Sequence, residues 1–104
     1  MGLFDFFKGK STSNEKLAEI VNSGAFLVDV RTPGEYKGGS VKGAVNIPLD
    51  RISKELAKFK GKKNIVVFCR SGNRSGQAKM ILERNGVENV FNGGTVSKVA
   101  SLLK

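Results

Sequence analysis

Several residue types are missing or scarce in this sequence of 104 residues, and each absence removes a class of chemistry. The chain has no histidine, so it can supply neither a histidine-activated nucleophile nor an imidazole metal ligand. It has one cysteine, which excludes an internal disulfide, a CxxC redox pair and a cysteine zinc cluster. A reaction at that thiol would therefore need backbone N–H groups or arginines to activate it. We predict no metal and no other cofactor, and the unpaired thiol predicts a cytoplasmic location.

Long apolar runs are also missing, since none approaches the roughly 18 residues that would predict a transmembrane segment. Residues 1–12 lack the basic leading region of a signal peptide. We predict that they form an N-terminal segment, flexible or docked on a single domain that fills residues 13–104.

Acidic residues are scarce relative to basic ones, 9 against 18, which gives a net charge of +9. Such an excess is compatible with nucleic acid, an anionic membrane surface or small anionic substrates. The basic residues are scattered. Their densest group lies at residues 58–63, just before the predicted apolar strand at 64–68. We interpret that group as a solvated loop, and we predict no specific nucleic-acid site.

Apolar runs and helical periodicities alternate along the chain. They predict strands at 26–30, 44–47, 64–68 and 90–91, and helices at 14–23, 33–37, 50–59, 75–84 and 96–103, with a turn at 92–94. Alternating strands and helices predict an α/β fold with a mostly parallel sheet and helices on both faces. Ligands of such sheets bind at the carboxyl ends of the strands, where the only cysteine of the sequence stands.

The sequence Cys69-Arg70-Ser71-Gly72-Asn73-Arg74 lies between the strongest predicted strand and the next helix. In such a loop, successive N–H groups and the helix N-terminus favour a thiolate. Gly72 permits a tight bend, and Arg70 and Arg74 provide charges for an anionic substrate. An inert buried cysteine is the alternative, and the polar loop argues against it.

At these residues the sequence resembles the rhodanese family of sulfurtransferases. Four stretches carry the resemblance: Asp29–Tyr36 (DVRTPGEY), Gly39–Pro48 (GSVKGAVNIP), Cys69–Arg74 (CRSGNR) and Gly86 through Gly94. It covers about residues 15–104, and the order and spacing of the stretches make it specific. It implies a single rhodanese-like domain with four to five strands. Ser40 stands where the family usually has histidine, and no tryptophan follows Gly93-Gly94. The family's first strand is hard to place, and Leu3–Phe7 could supply it or a helix.

The resemblance implies that Cys69 takes a sulfane sulfur from thiosulfate or a persulfide donor and passes it to a thiol or cyanide. The expected partners are thus a small anionic sulfur donor and a thiophilic acceptor, which could be a protein. Residues 70–75 (Arg70, Ser71, Gly72, Asn73, Arg74 and Ser75) are expected to bind the substrate. Asp29 and Arg31 are expected to support the site structurally, whereas Asn92-Gly93-Gly94 should shape its wall through the backbone.

Two other classes of function stay open at this point. Cysteine phosphatases and arsenate reductases also place a cysteine before an arginine at a helix N-terminus, but with C-x5-R spacing, whereas this chain has C-x4-R. A rhodanese-like module without catalytic activity, serving binding or regulation, is the other alternative. Such modules usually lose the cysteine or its loop, and both are present here. A carrier that hands sulfur to a protein partner would be intermediate between an enzyme and such a module.

Overall fold

A computed structural model of the protein describes residues 12–104. It contains strands β1 (Phe26–Asp29), β2 (Val45–Asn46), β3 (Ile65–Cys69) and β4 (Val90–Thr95), helices α1 (Asn14–Val21), α2 (Pro33–Lys37), α3 (Asn73–Arg84) and α4 (Val96–Leu102), and two 3₁₀ helices, Leu49–Lys54 and Leu56–Phe59. The strands form one sheet in the order β2-β1-β3-β4, and every neighbouring pair is parallel. The predicted α/β fold with a parallel sheet is therefore confirmed, with four strands in the described residues.

Strand β3 lies in the interior of the sheet, and all five of its residues are buried. Successive side chains of a strand point to opposite faces, so β3 contributes to two cores. Val67 and Cys69 pack with α3 and the 3₁₀ helices, whereas Val66 and Phe68 pack with α1 and α4. Helices thus cover both faces of the sheet, as predicted, and the cysteine ends a fully buried strand.

The single helix predicted over residues 50–59 is wrong. The chain forms two 3₁₀ helices there, separated at Glu55. Ile52 and Phe59 still enter the core, which is why the apolar spacing suggested one helix. A 3₁₀ helix rises about 2.0 Å per residue against about 1.5 Å in an α-helix, so it takes the chain farther on its way from β2 to the start of β3.

The turn predicted at residues 92–94 is also wrong, because β4 continues through these residues to Thr95. A β-bulge accommodates them: Asn92 pairs with Val67 and Gly94 with Phe68, which leaves Gly93 unpaired. A Cβ atom on Gly93 would lie 2.7 Å from Val99 Cγ2 and 2.9 Å from Val66 Cγ1. The glycine that suggested a turn therefore allows the strand to pass close to the core.

The N-terminal segment lies largely outside the described residues, including the strand or helix considered for Leu3–Phe7. Within residues 12–104, none of the helices combines the length and apolar character that crossing a membrane requires.

Candidate active site

Cys69 is the last residue of β3, and its side chain is buried. The chain then turns through the cysteine loop (residues 69–74) into α3, which begins at Asn73, two residues earlier than predicted. Gly72 caps this helix with φ of 94°, a left-handed conformation that favours glycine. The bend brings the N–H groups of Gly72 and Ser75 to the cysteine sulfur.

The Sγ atom of Cys69 is surrounded by hydrogen-bond donors. The N–H of Gly72 donates to it at 2.9 Å and the N–H of Ser75 at 3.4 Å. The Ser75 hydroxyl lies 3.4 Å from the sulfur, and either group could donate. Donors on a sulfur atom stabilise its anion, and the N-terminus of α3 adds its positive dipole end.

These contacts lower the pKa of the cysteine. Burial, the largest single influence, raises the pKa of Cys69, because it disfavours the charged form. Hydrogen bonds from the Ser75 hydroxyl and from the N–H groups of Ser75, Ser71 and Gly72 act in the opposite direction. Together they outweigh burial, so the pKa of Cys69 lies below that of an ordinary thiol. A lowered pKa makes the reactive thiolate more abundant at neutral pH.

Arg74 turns its guanidinium group to Glu35, 39 residues earlier in the chain. Its Nη1 and Nη2 atoms donate to Glu35 Oε1 at 2.8 Å and Oε2 at 3.1 Å. Glu35 Oε1 also accepts from the backbone N–H of Thr32, as part of the capping box of α2. The bond from Arg74, followed by that from Thr32, lowers the pKa of Glu35 from its ordinary value of 4.5 to about 2. Arg74 therefore fastens the cysteine loop to α2 through a bidentate pair.

Asp29 and Arg31, predicted as supporting residues, bind each other at the end of β1. The carboxylate of Asp29 is fully buried and accepts from the backbone N–H of Arg31 at 2.9 Å and from its Nη2 at 2.7 Å. The hydroxyl of Ser40 donates to the same carboxylate at 2.7 Å. Ser40, which stands where the rhodanese pattern has histidine, thus helps to satisfy a buried carboxyl group. Arg31 completes the cluster by donating to the carbonyl oxygen of Gly39 at 2.8 Å.

The remaining residues predicted to bind substrate lie in the cysteine loop. Arg70, Ser71 and Asn73 are exposed, and the Ser71 hydroxyl accepts a 3.4 Å bond from the N–H of Asn73. Within residues 12–104, the Arg70 guanidinium forms no hydrogen bond or ion pair. Its charge is therefore available to a ligand, whereas that of Arg74 is partly neutralised by Glu35.

Asn92 is a site residue that the sequence reasoning missed, because that reasoning assigned its segment a backbone role. Its Oδ1 atom accepts from the Ser75 hydroxyl at 2.7 Å and from the N–H of Gly94 at 2.9 Å. Its Nδ2 atom donates to the carbonyl oxygen of Gly72 at 3.2 Å. The side chain thereby joins β4 to the cysteine loop. A polar residue directly before Gly93-Gly94 was the available signal.

Comparison with known proteins shows which family this chain resembles over most of its length. The family model of the rhodanese-like domain matches residues 13–96. Thiosulfate sulfurtransferase PspE of Escherichia coli is 40% identical over 75 residues, which are 70% of this chain and 72% of that protein. A sulfurtransferase of Allochromatium vinosum is 33% identical over 86 residues, covering 81% of this chain and 78% of that protein.

Solved structures show the same fold. A rhodanese with anions from E. coli superposes with a TM-score of 0.67 at 38% identity, covering 73% of this chain and 92% of that chain. A human single-domain sulfurtransferase gives a TM-score of 0.67 at 28% identity, covering 80% and 87%. With the family model matching most of its residues, this chain belongs to the rhodanese-like domain family.

Proposed function

We propose that this protein is a sulfurtransferase that carries a sulfane sulfur on Cys69 as a persulfide. The observation that carries the proposal is the set of donors around Sγ: the N–H groups of Gly72 and Ser75 with the Ser75 hydroxyl, at 2.9 to 3.4 Å. These donors make the thiolate, which is the attacking group, more abundant, so the proposed attack needs no histidine base. The names of two relatives, thiosulfate sulfurtransferase and sulfurtransferase, support the same activity.

The proposed reaction has two displacements at sulfur. The Cys69 thiolate attacks the outer sulfur of thiosulfate, the sulfur–sulfur bond breaks, and sulfite leaves with the bonding electron pair. The enzyme then holds a persulfide with its negative charge on the outer sulfur. An acceptor thiolate, or cyanide in an assay, attacks that outer sulfur and restores the Cys69 thiolate. A persulfide donor would replace thiosulfate with a thiolate as the leaving group.

The loop residues have distinct proposed roles. Arg70 attracts the anionic donor, because its guanidinium is exposed and has no partner in residues 12–104. The N–H groups and hydroxyls that line the turn bind the sulfur donor, and they belong to Ser71, Gly72, Asn73 and Ser75. Arg74 holds the loop on Glu35 and adds positive charge near the sulfur.

An experiment with thiosulfate tests the proposal. Reduced protein is incubated with thiosulfate, separated from excess reagent and weighed intact by mass spectrometry. We expect a gain of one sulfur atom that a reducing agent removes, and no gain in Cys69→Ser, whose hydroxyl cannot form a persulfide. Failure of the wild-type protein to take up sulfur would contradict the proposal and favour a binding module. Hydrolysis of an aryl phosphate without sulfur uptake would favour a phosphatase.

The acceptor and the compartment belong to the same proposal. A small thiol or a protein thiol can remove the outer sulfur, and transfer to cyanide provides the simplest assay. The reactive cysteine has to remain reduced, which is consistent with the cytoplasm as the proposed location.

A further inference from the structure

Ser75 has more hydrogen-bond acceptors around its hydroxyl than it can serve. It is fully buried, and its Oγ atom lies 2.7 Å from Asn92 Oδ1, 3.1 Å from the Gly72 carbonyl oxygen and 3.4 Å from Cys69 Sγ. A serine hydroxyl has one proton to donate and two lone pairs to accept with. Asn92 and a charged Cys69 sulfur therefore compete for the same proton.

The orientation of Asn92 is determined by two further contacts. The N–H of Gly94 donates to Oδ1 at 2.9 Å, and Nδ2 donates to the Gly72 carbonyl oxygen at 3.2 Å. A flipped amide would place its NH₂ group against the N–H of Gly94 and its oxygen against the Gly72 carbonyl. Asn92 thus presents an acceptor to Ser75, and the shortest distance around the hydroxyl is the one to Asn92.

We propose that Asn92 is a positioning residue that holds the Ser75 proton while the Cys69 sulfur is uncharged and yields it when the sulfur becomes a thiolate. While the sulfur is uncharged, the Cys69 thiol donates its own proton to Ser75 Oγ. After ionisation, the hydroxyl rotates from Asn92 Oδ1 to Sγ. The heavy atoms are already within hydrogen-bonding distance, so the exchange needs no backbone movement.

The inference deepens the proposed sulfur transfer and rests on it for its place in the reaction. When the thiolate takes sulfur from thiosulfate, sulfite leaves and the negative charge moves from Sγ to the outer sulfur. Sγ is then a weak acceptor, and the Ser75 proton returns to Asn92. When an acceptor removes the outer sulfur, the charge returns to Sγ and the hydroxyl follows it. Asn92 would thus reduce the hydrogen bonding of Ser75 to the thiolate. In the persulfide state, the hydrogen bond from Ser75 to Asn92 would keep the loop ordered.

The competition predicts opposite effects for two substitutions. Asn92→Leu removes the nearest competing acceptor and leaves only the Gly72 carbonyl oxygen at 3.1 Å. The Ser75 proton then stabilises the thiolate more often, and the pKa of Cys69 falls. Ser75→Ala removes the donor, so the pKa of Cys69 rises. A merely structural role for Asn92 predicts the reverse sign for Asn92→Leu, since a loosened loop would withdraw its N–H groups from the sulfur. The charged groups around the loop are Arg70 within it, the Arg74–Glu35 pair and the Asp29–Arg31 pair, and they are the same in every variant.

The test is the pH profile of Cys69 alkylation in the full chain, which contains no other thiol. We expect the midpoint of Asn92→Leu to move to lower pH, with alkylation about threefold to tenfold faster below the wild-type midpoint. The double variant Ser75→Ala with Asn92→Leu should have the same alkylation midpoint as Ser75→Ala alone. Asn85→Leu, the same change at the far end of α3, is the control and should leave the profile unaltered.

Three results would overturn the proposal: an unchanged midpoint in Asn92→Leu, a higher one, or an equal decrease with and without Ser75. Asn92→Ala gives the same expected sign and replaces the leucine variant if thermal unfolding shows that the latter does not fold. Alkylation needs no sulfur donor, so this test stands apart from the proposed function. Sulfur uptake from thiosulfate, measured by intact mass on the same samples, reports on that function separately.

Discussion

The close approach of β4 to the core predicts a large effect for a small change, Gly93→Ala. The added methyl group would lie 2.7 Å from Val99 Cγ2 and 2.9 Å from Val66 Cγ1. Carbon atoms pack best about 3.5–4.0 Å apart, so roughly 1 Å has to open on both sides. Val66 and Val99 are fully buried, so neither can swing into solvent.

The expected cost follows from this overlap. Overpacking a core by one methyl group costs about 1–3 kcal/mol, and the lower chain entropy of alanine offsets up to about 1 kcal/mol. A net loss of about 1–2 kcal/mol would lower the Tm of a domain of this size by about 5–15 °C. Strand β4 also carries Asn92, so we expect sulfur uptake by Cys69 to slow in parallel.

Thermal unfolding followed by circular dichroism measures the loss. Gly34→Ala is the matched control, because Gly34 lies in α2 with nothing within 4 Å of its Cβ position, and its Tm should not fall. Adding Val99→Ala to Gly93→Ala makes room for the methyl group, so the double variant should be more stable than the sum of the two changes predicts. An unchanged Tm in Gly93→Ala would refute the packing argument.

Three further predictions concern the site. The rate of Cys69 alkylation should reach half its maximum at a pH below the ordinary thiol value of about 8.5, and a midpoint at or above that value would contradict the lowered pKa. Glu35→Gln should lower the free energy of unfolding at neutral pH. Because the pKa of Glu35 falls from 4.5 to about 2 on folding, this loss of stability should shrink as the pH drops from about 5 toward 2. A loss that stays constant over this range would argue against the pair with Arg74. Arg70→Ala should raise the KM for thiosulfate several-fold while single-turnover persulfide formation at saturating thiosulfate stays near wild type, and an unchanged KM would exclude Arg70 as the anion contact.

The parts of the fold that could be predicted are those encoded by local pattern. The apolar run before Cys69 indicated the strongest strand of the chain, and the polar, glycine-containing loop after it indicated a bend at a helix N-terminus. Gly72 adopts the positive φ expected there. Each of these signals lies within a few residues of the element that it specifies.

The parts that could not be predicted depend on contacts between distant residues. Arg74 was expected to bind substrate, and the partner that it has, Glu35, stands 39 residues away. Asn92 and Ser75 are 17 residues apart and meet only because β4 pairs with β3. The spacing of Ile52 and Phe59 fits an α-helix, and only the route to the next strand selects two 3₁₀ helices. No local pattern contains this information.

Because Cys69 is the single cysteine of the sequence, it affects how long a persulfide sulfur would remain on the protein. Many thiol enzymes discharge an oxidised or loaded cysteine by attack from a second cysteine of the same chain. This chain has no second cysteine, so a sulfur carried on Cys69 could leave only by collision with another molecule. The lifetime of the persulfide would then be set by the concentration of acceptors. Each chain would hold at most one such sulfur and act as a stoichiometric store between encounters.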